Sequence, residues 1–282
     1  MLKTLRNFLP IPAQTDNKLI RLLSYLDVLG IFKTDPWGNS LFLKRLIIFV
    51  AGWPTYWRIA VANKLQIEGG EHLKSLPNTN VLFVSNHQTY FADVITFYHI
   101  FCGAKWGMFK KLYPIYLLFP RARTFYVAAS ETMKSGLLPK IFSLAGAILV
   151  ERSWRHKGQN VQRDVDTSAG DKIKMGLDFG WVVTFPQGTT SPYAPIRKGT
   201  GHLIKSNKPI IVPVVIDGFR RAFNKTGLSY KKRNTKLKVR FKPPIYFDEN
   251  ATVDDIIETV KHIIEQNIPE NIAEWREENE SS

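Results

Sequence analysis

Six short runs rich in β-branched and aromatic residues recur along the chain: VLFVS (81–85), FYVA (125–128), AILV (147–150), WVVTFP (181–186), IIVPVVI (210–216) and KVRF (238–241). Segments of helical composition, such as ADVITFYHIFC and TSAGDKIKMGLDF, lie between several of them. This alternation predicts an α/β fold, a mostly parallel central sheet flanked by helices on both faces. A last helix is expected over VDDIIETVKHIIEQNI, where Ile256, Ile257, Val260, Ile263 and Ile264 share one stripe. At 282 residues, one sizeable domain with a modest appendage is expected, and its core needs no covalent staples. The single cysteine, Cys102, excludes an internal disulfide and a cysteine metal cluster.

The appendage is residues 1–63, ahead of a domain over 64–282. Within it, DNKLIRLLSYLDVLGIF spaces Leu19, Leu22, Leu23, Leu26 and Leu29 three or four apart, the mark of an amphipathic helix. A second, more apolar helical stretch, LFLKRLIIFVAGWPTYWRIAVANKL, is expected to kink at Pro54. Trp53, Tyr56 and Trp57 cluster there beside Lys44, Arg45 and Arg58. Two readings stand for this two-helix segment: docking into a membrane interface, or packing as a helical hairpin on its own domain. The apolar run at 46–57 is far short of the roughly 20 residues that span a bilayer, and the first residues lack the apolar core of a secretory signal.

Lys and Arg number 39 against 24 Asp and Glu, a formal net charge of +15. The excess gathers in KWGMFKK (105–111), RAR (121–123), ERSWRHK (151–157), FRRAFNK (219–225) and YKKRNTKLKVRFK (230–242), while the final dozen residues are acidic. A basic body of this kind points to an anionic partner, nucleic acid or a phospholipid surface. YKKRNTKLKVRFK reads as an alternating strand with one basic face and contains no recognised nucleic-acid module, so no nucleic acid is expected.

Chemistry concentrates in two stretches. In SNHQTYFADV (85–94), Asn86 and His87 follow a buried strand at its carboxyl end, where open α/β sheets place their sites. Asp93 is one short turn away; a carboxylate on one imidazole nitrogen fixes the tautomer and leaves the other free to take a proton. A structural histidine is the competing reading. In FPQGTTSPYAPIRKGTGHLI (185–204), a Pro-x-Gly turn exposes backbone amides, three hydroxyls follow at Thr189, Thr190 and Ser191, and Arg197 and Lys198 supply positive charge. That composition suits an anion site, and equally a tight structural turn. The remaining histidines, His99, His156, His202 and His262, lack partners at ligand spacing, so no metal is expected.

Together, NHQTYFAD, GAILVER (146–152), FPQGTTS with RKG after it, and VPVVI (212–216) resemble, in order and approximate spacing, the four motif blocks of the glycerophospholipid acyltransferases. The resemblance covers roughly residues 64 to 216, and the leading segment is similar to the membrane-docking two-helix element of bacterial members. It implies transfer of an acyl chain from acyl carrier protein or coenzyme A thioester to a lysolipid, most simply 1-acylglycerol-3-phosphate. His87 would be the general base and Asp93 its orienting carboxylate. Arg152 would meet the acceptor's phosphate. Asn86, Gln187, Gly188, Thr189, Thr190 and Lys198 would line the acceptor region, and Pro213 would help form a substrate pocket. No cofactor is implied, because the thioester already carries the activation. An anionic phospholipid membrane becomes the expected partner, with the protein peripheral on the cytoplasmic face of a bacterial membrane.

Three departures from the family pattern bear on this. Five residues rather than four separate His87 from Asp93. Gln187 stands where the family has glutamate, and Thr190 where it has arginine. Losing that arginine leaves an aminolipid or other phosphate-free acceptor open, alongside a non-catalytic lipid-binding relative and a basic nucleic-acid binder.

Overall fold

The structure is a computed structural model that describes residues 33–133, 137–151, 155–156, 159–160 and 167–269. The first expected helix, with its leucines at 19–29, lies outside the described residues, as does Arg152.

Seven strands form one sheet: β1 (Lys64–Glu68), β2 (Val81–Ser85), β3 (Thr124–Ala129), β4 (Ala147–Val150), β5 (Trp181–Thr184), β6 (Ile210–Asp217) and β7 (Lys236–Phe241). Their order is β1-β7-β6-β2-β5-β3-β4. Every pairing is parallel except β6 with β7. All five residues of β2 are buried, which accounts for its unbroken apolar run. Val81 and Phe83 face a core with α2 (Ala92–Lys105); Leu82 and Val84 face the opposite core, built by α4 (Thr167–Phe179), α5 (Lys198–Asn207) and α6 (Val253–Ile263). A further helix, α3 (Leu137–Leu144), leads into β4. The expected parallel sheet flanked by helices is therefore present.

Strand β1 and helix α5 carry weak local signals. In β1 only Ile67 is buried, as suits an edge strand. Helix α5 contains Gly199 and Gly201, both poor helix formers, yet packing needs the second. A β-carbon at Gly201 would stand 2.8 Å from Val253 Cγ1, so α5 and α6 meet closely there. Strand β7 alternates as its sequence promises, with Leu237, Val239 and Phe241 inward and Lys236, Lys238 and Arg240 outward.

Helix α1 (Leu41–Tyr56) differs from expectation: it runs through Pro54, and the irregularity falls just beyond, as a π-helical turn over Trp57–Val61. There the Ala62 amide bonds the Trp57 carbonyl at 2.8 Å, five residues back. One face of α1 is docked on the domain. Lys44 is fully buried, its Nζ 2.5 Å from the Thr124 carbonyl and 3.9 Å from the centre of the Phe125 ring. Near the other end, Thr55 Oγ1 lies 2.9 Å from His99 Nε2, and His99 Nδ1 lies 2.7 Å from the Tyr116 hydroxyl. The opposite face leaves Phe42, Leu43, Leu46, Val50 and Trp53 exposed, continued by Trp57 and Val61.

Candidate active site

Strand β2 delivers Asn86 and His87 to the carboxyl edge of the sheet, and the turn over 88–91 brings the chain back to open α2 with Asp93 in its first turn. Asp93 Oδ2 lies 2.9 Å from His87 Nδ1. The same oxygen accepts the Gln88 amide at 2.6 Å and the Thr89 amide at 3.0 Å, and Oδ1 accepts the Thr89 hydroxyl at 2.6 Å. Four donors converge on a carboxylate whose side chain is fully buried, so its orientation is fixed and its charge compensated. The imidazole stacks on Phe185, ring centres 3.9 Å apart and planes 20° from parallel, while 13% of its side chain stays open to solvent. With Nδ1 donating to Asp93, Nε2 is the nitrogen left to accept a proton.

The five-residue gap is absorbed by a neighbouring loop. Tyr90 and Phe91 donate their amides to the carbonyls of Lys225 and Thr226, each at 3.0 Å. Gly227, at φ +80°, lies so close that a β-carbon there would sit 2.5 Å from the Ala92 amide nitrogen. The Asn224 carboxamide oxygen gathers the amides of Gly227, Leu228 and Ser229 and holds this loop in shape.

Behind β5, the Gly188 amide bonds the Phe185 carbonyl at 2.9 Å in a turn that requires φ +65° at Gly188. Thr189 Oγ1 accepts the Ser191 amide at 3.2 Å. Gln187, expected at the acceptor, is instead a brace: it is 1% exposed and its Nε2 donates to the Ala194 carbonyl and to Gln266 Oε1, both at 2.9 Å. Gln266, just past α6, also accepts the Tyr193 amide at 3.1 Å, so the residues that follow α6 steady this turn.

Other expected residues also sit elsewhere. Asn86 is buried and used by the sheet: Nδ2 donates to the Ile216 carbonyl at 2.9 Å and Oδ1 accepts the Ile216 amide at 2.8 Å, extending the β2–β6 ladder with a side chain. Pro213 lies inside β6 opposite Val84, and its carbonyl accepts the Lys242 amide at 2.9 Å, just past the end of β7. Lys198 opens α5 on the surface, 3.7 Å from Asp254 at the start of α6. Thr190 is 6% exposed and does adjoin the His87 turn, through a residue that no motif indicated.

That residue is Arg220. One of its terminal nitrogens donates to the Thr190 carbonyl and lies 3.4 Å from the His87 carbonyl. Gln88, inside NHQTYFAD but not among its expected site residues, accepts the Phe219 and Arg220 amides on Oε1 at 2.9 and 3.3 Å and donates from Nε2 to the Ile216 carbonyl at 3.1 Å. For Arg220 the sequence signal was the basic run FRRAFNK. A cleft of about 250 Å³ opens between these loops, with Gln88, Thr190 and Arg220 among its walls. Among the described residues, no three His, Cys, Asp or Glu side chains gather closely enough to hold a metal ion.

A buried carboxylate, a half-buried imidazole with one nitrogen free to accept a proton, and a cleft beside them can together abstract a proton from a hydroxyl. Known proteins agree in kind. The chain is similar to the 1-acyl-sn-glycerol-3-phosphate acyltransferase of Limnanthes alba, 24% identical over 246 residues that cover 79% of this chain and 75% of the relative. The corresponding enzyme of Cocos nucifera is 24% identical over 216 residues, covering 75% and 60%. In fold it is similar to the 1-acyl-sn-glycerophosphate acyltransferase PlsC of Thermotoga maritima, at TM-score 0.50 and 16% identity over 90% of this chain and 89% of that one. A family model described as Acyltransferase matches residues 64–217, more than half of the chain, running from β1 to the end of β6 and taking in both His87 and the 185–197 turn. With the sheet, the turn after β2 and that match in register, the chain belongs to the acyltransferase family.

Proposed function

We propose that this acyltransferase moves a fatty acyl chain from an acyl carrier protein or coenzyme A thioester to the free hydroxyl of 1-acylglycerol-3-phosphate, giving phosphatidic acid. The observation that carries the reading is the pair of His87 Nδ1 and Asp93 Oδ2 at 2.9 Å, with three further donors holding the carboxylate. His87 Nε2 takes the acceptor's hydroxyl proton as the oxygen attacks the thioester carbonyl. The tetrahedral intermediate then collapses, the C–S bond breaks, and the departing thiolate recovers the proton from the imidazolium. Such a base typically contributes a hundredfold to ten-thousandfold, and Asp93 holds its tautomer and offsets the imidazolium charge. The names of the similar proteins and the basic character of the chain support the phosphate-bearing acceptor.

The reaction is proposed to take place at an anionic membrane, on the cytoplasmic face where thioester donors reside. The exposed apolar face of α1 supports this, as do Tyr113, Ile115, Leu118 and Phe119 beside it, all exposed. The two patches adjoin, since Leu117 packs against Gly52 and the Tyr56 hydroxyl bonds the Leu112 carbonyl at 3.0 Å. Arg45, Lys105, Arg121 and Arg123 stand close by; burial first, then one another's charge, lowers the pKa of Arg45, Lys105 and Arg121. An apolar face collared by cations matches a bilayer of acidic lipid. Among the described residues no helix is long and apolar enough to cross a membrane, so contact would be interfacial.

A mass-spectrometric acylation screen tests the chemistry: both thioester classes against phosphate-bearing and phosphate-free lysolipids. Phosphatidic acid should form with the native chain. His87→Ala should abolish it, and Asp93→Asn should slow it by roughly a thousandfold or more. Turnover retained by His87→Ala would refute the base assignment, and absence of product from every pairing would refute the acyl transfer.

A further inference from the structure

The segment joining β6 to β7, residues 218–235, holds the basic run FRRAFNK and the start of YKKRNTKLKVRFK, two of the runs that point to an anionic partner. It begins at Gly218, φ +89°, where a β-carbon would stand 2.1 Å from the Lys236 carbonyl oxygen, so the chain leaves the sheet by a turn only glycine fits. One helical turn, Phe219–Ala222, then carries Arg220 across the carbonyls of His87 and Thr190. The loop beyond, held by Asn224, returns along the far side of the cleft with Lys225 and Lys231 on its wall. Gln88, Thr190 and Ser191 face them with amide and hydroxyl groups. Three cations and no carboxylate therefore line the cleft.

We propose that this cleft is the binding site for the phosphate monoester of the acyl acceptor, and that Arg220, Lys225 and Lys231 decide the preference for a phosphate-bearing lysolipid. The assignment rests on the acyl-transfer reading above and supplies its acceptor. It also accounts for Thr190: the guanidinium that the family pattern carries at that position arrives here from a different strand connection and lies against the Thr190 carbonyl. Of the two cations that follow the turn, Arg197 donates from Nε to the Gln187 carbonyl at 3.3 Å and Lys198 is drawn toward Asp254; neither lines the cleft. A phosphate monoester has two sources in the reaction, the lysolipid headgroup and the 3′-phosphate of coenzyme A. The position of the cleft, beside the His87 turn where the attacking hydroxyl must sit, favours the headgroup.

The test compares the native chain with Lys225→Gln/Lys231→Gln, Arg220→Gln, and Arg220→Gln/Thr190→Arg. Substrates are 1-acylglycerol-3-phosphate and 1-acylglycerol as acceptors, and acyl-coenzyme A and acyl-3′-dephospho-coenzyme A as donors. The double lysine variant should raise KM for the phosphate-bearing acceptor about tenfold, with a smaller effect on kcat, and leave the phosphate-free acceptor's kinetics nearly unmoved. Arg220→Gln should lose more, because it also frees two loop carbonyls, and Thr190→Arg in that background should restore part of the preference for phosphate. Equal losses with both acceptors, or a loss that follows the donor's 3′-phosphate, would overturn the proposal. Equilibrium binding of glycerol 3-phosphate separates this failure from failure of the acyl-transfer reading: binding that weakens in the lysine variant upholds the cleft without any turnover, and no binding to the native chain overturns it.

Discussion

His99 offers a pH dependence that can be worked out from its surroundings. It is buried in α2 with a defined partner on each ring nitrogen. The Thr55 hydroxyl donates to the Ala51 carbonyl at 2.7 Å, so it accepts from His99 Nε2, and Nδ1 accepts from the Tyr116 hydroxyl. The ring is thus held neutral, and burial lowers its pKa from 6.5 to about 3. Between those values the unfolded chain binds a proton that the folded chain refuses, so stability is full above about pH 6.5 and falls as pH drops toward 3. At about 1.4 kcal/mol per unit, the loss reaches roughly 3 kcal/mol at pH 4.5, about two units below the unfolded value. Glutamine keeps a donor and an acceptor but does not titrate. Urea unfolding at pH 7.5 and 4.5 should therefore show the native chain losing roughly 3 kcal/mol more than His99→Gln across that interval. Equal losses would mean that protonated His99 is accommodated inside the fold, and the reasoning from burial would be wrong.

Lys44 should behave oppositely to an ordinary anchor. Burial lowers its pKa to about 7, partly offset by Asp35, so the folded state carries a penalty below pH 7 that fades as pH climbs toward 10.5. Lys44→Met should raise stability at pH 7 by about 2 kcal/mol, measured by urea unfolding, because it removes a cation whose burial is the main cause of its lowered pKa; a loss would show that the ammonium's contacts with the Thr124 carbonyl and the Phe125 ring outweigh its desolvation. Gly227→Ala combines a left-handed backbone with a clash on the Ala92 amide, beside the turn that carries His87 and Asp93. It should destabilise by about 1–3 kcal/mol and lower kcat, as thermal melts and acylation rates would report, and unchanged kcat would separate this loop from the His87 turn.

Local pattern made much of the molecule legible. Unbroken apolar runs marked β2, β5 and β6 because strands buried on both faces leave no polar alternation to obscure them. The stripe of α6 and the alternation of β7 were readable for the converse reason, each having one solvent face. His87 and Asp93 could be paired because their partnership spans a single turn, the range over which spacing dictates proximity. Edge strand β1 and glycine-containing α5 escaped, since their stability comes from neighbours distant in sequence.

What a polar residue touches was decided elsewhere. Asn86 and Gln187 read as substrate contacts, but both face partners that only folding supplies, Ile216 and Gln266. A buried amide takes whichever backbone or side-chain partner the fold brings within reach, and an unpaired one would be costly. The placing of β6 beside β2 sets the 218–231 segment against the His87 turn, so that Arg220 meets residues more than a hundred positions earlier. The residues by themselves determined most strands of the sheet, the nearness of His87 to Asp93 and the excess of positive charge. The tertiary structure alone decided where that charge stands, because strand order is a property of the assembled sheet and not of any local stretch of chain.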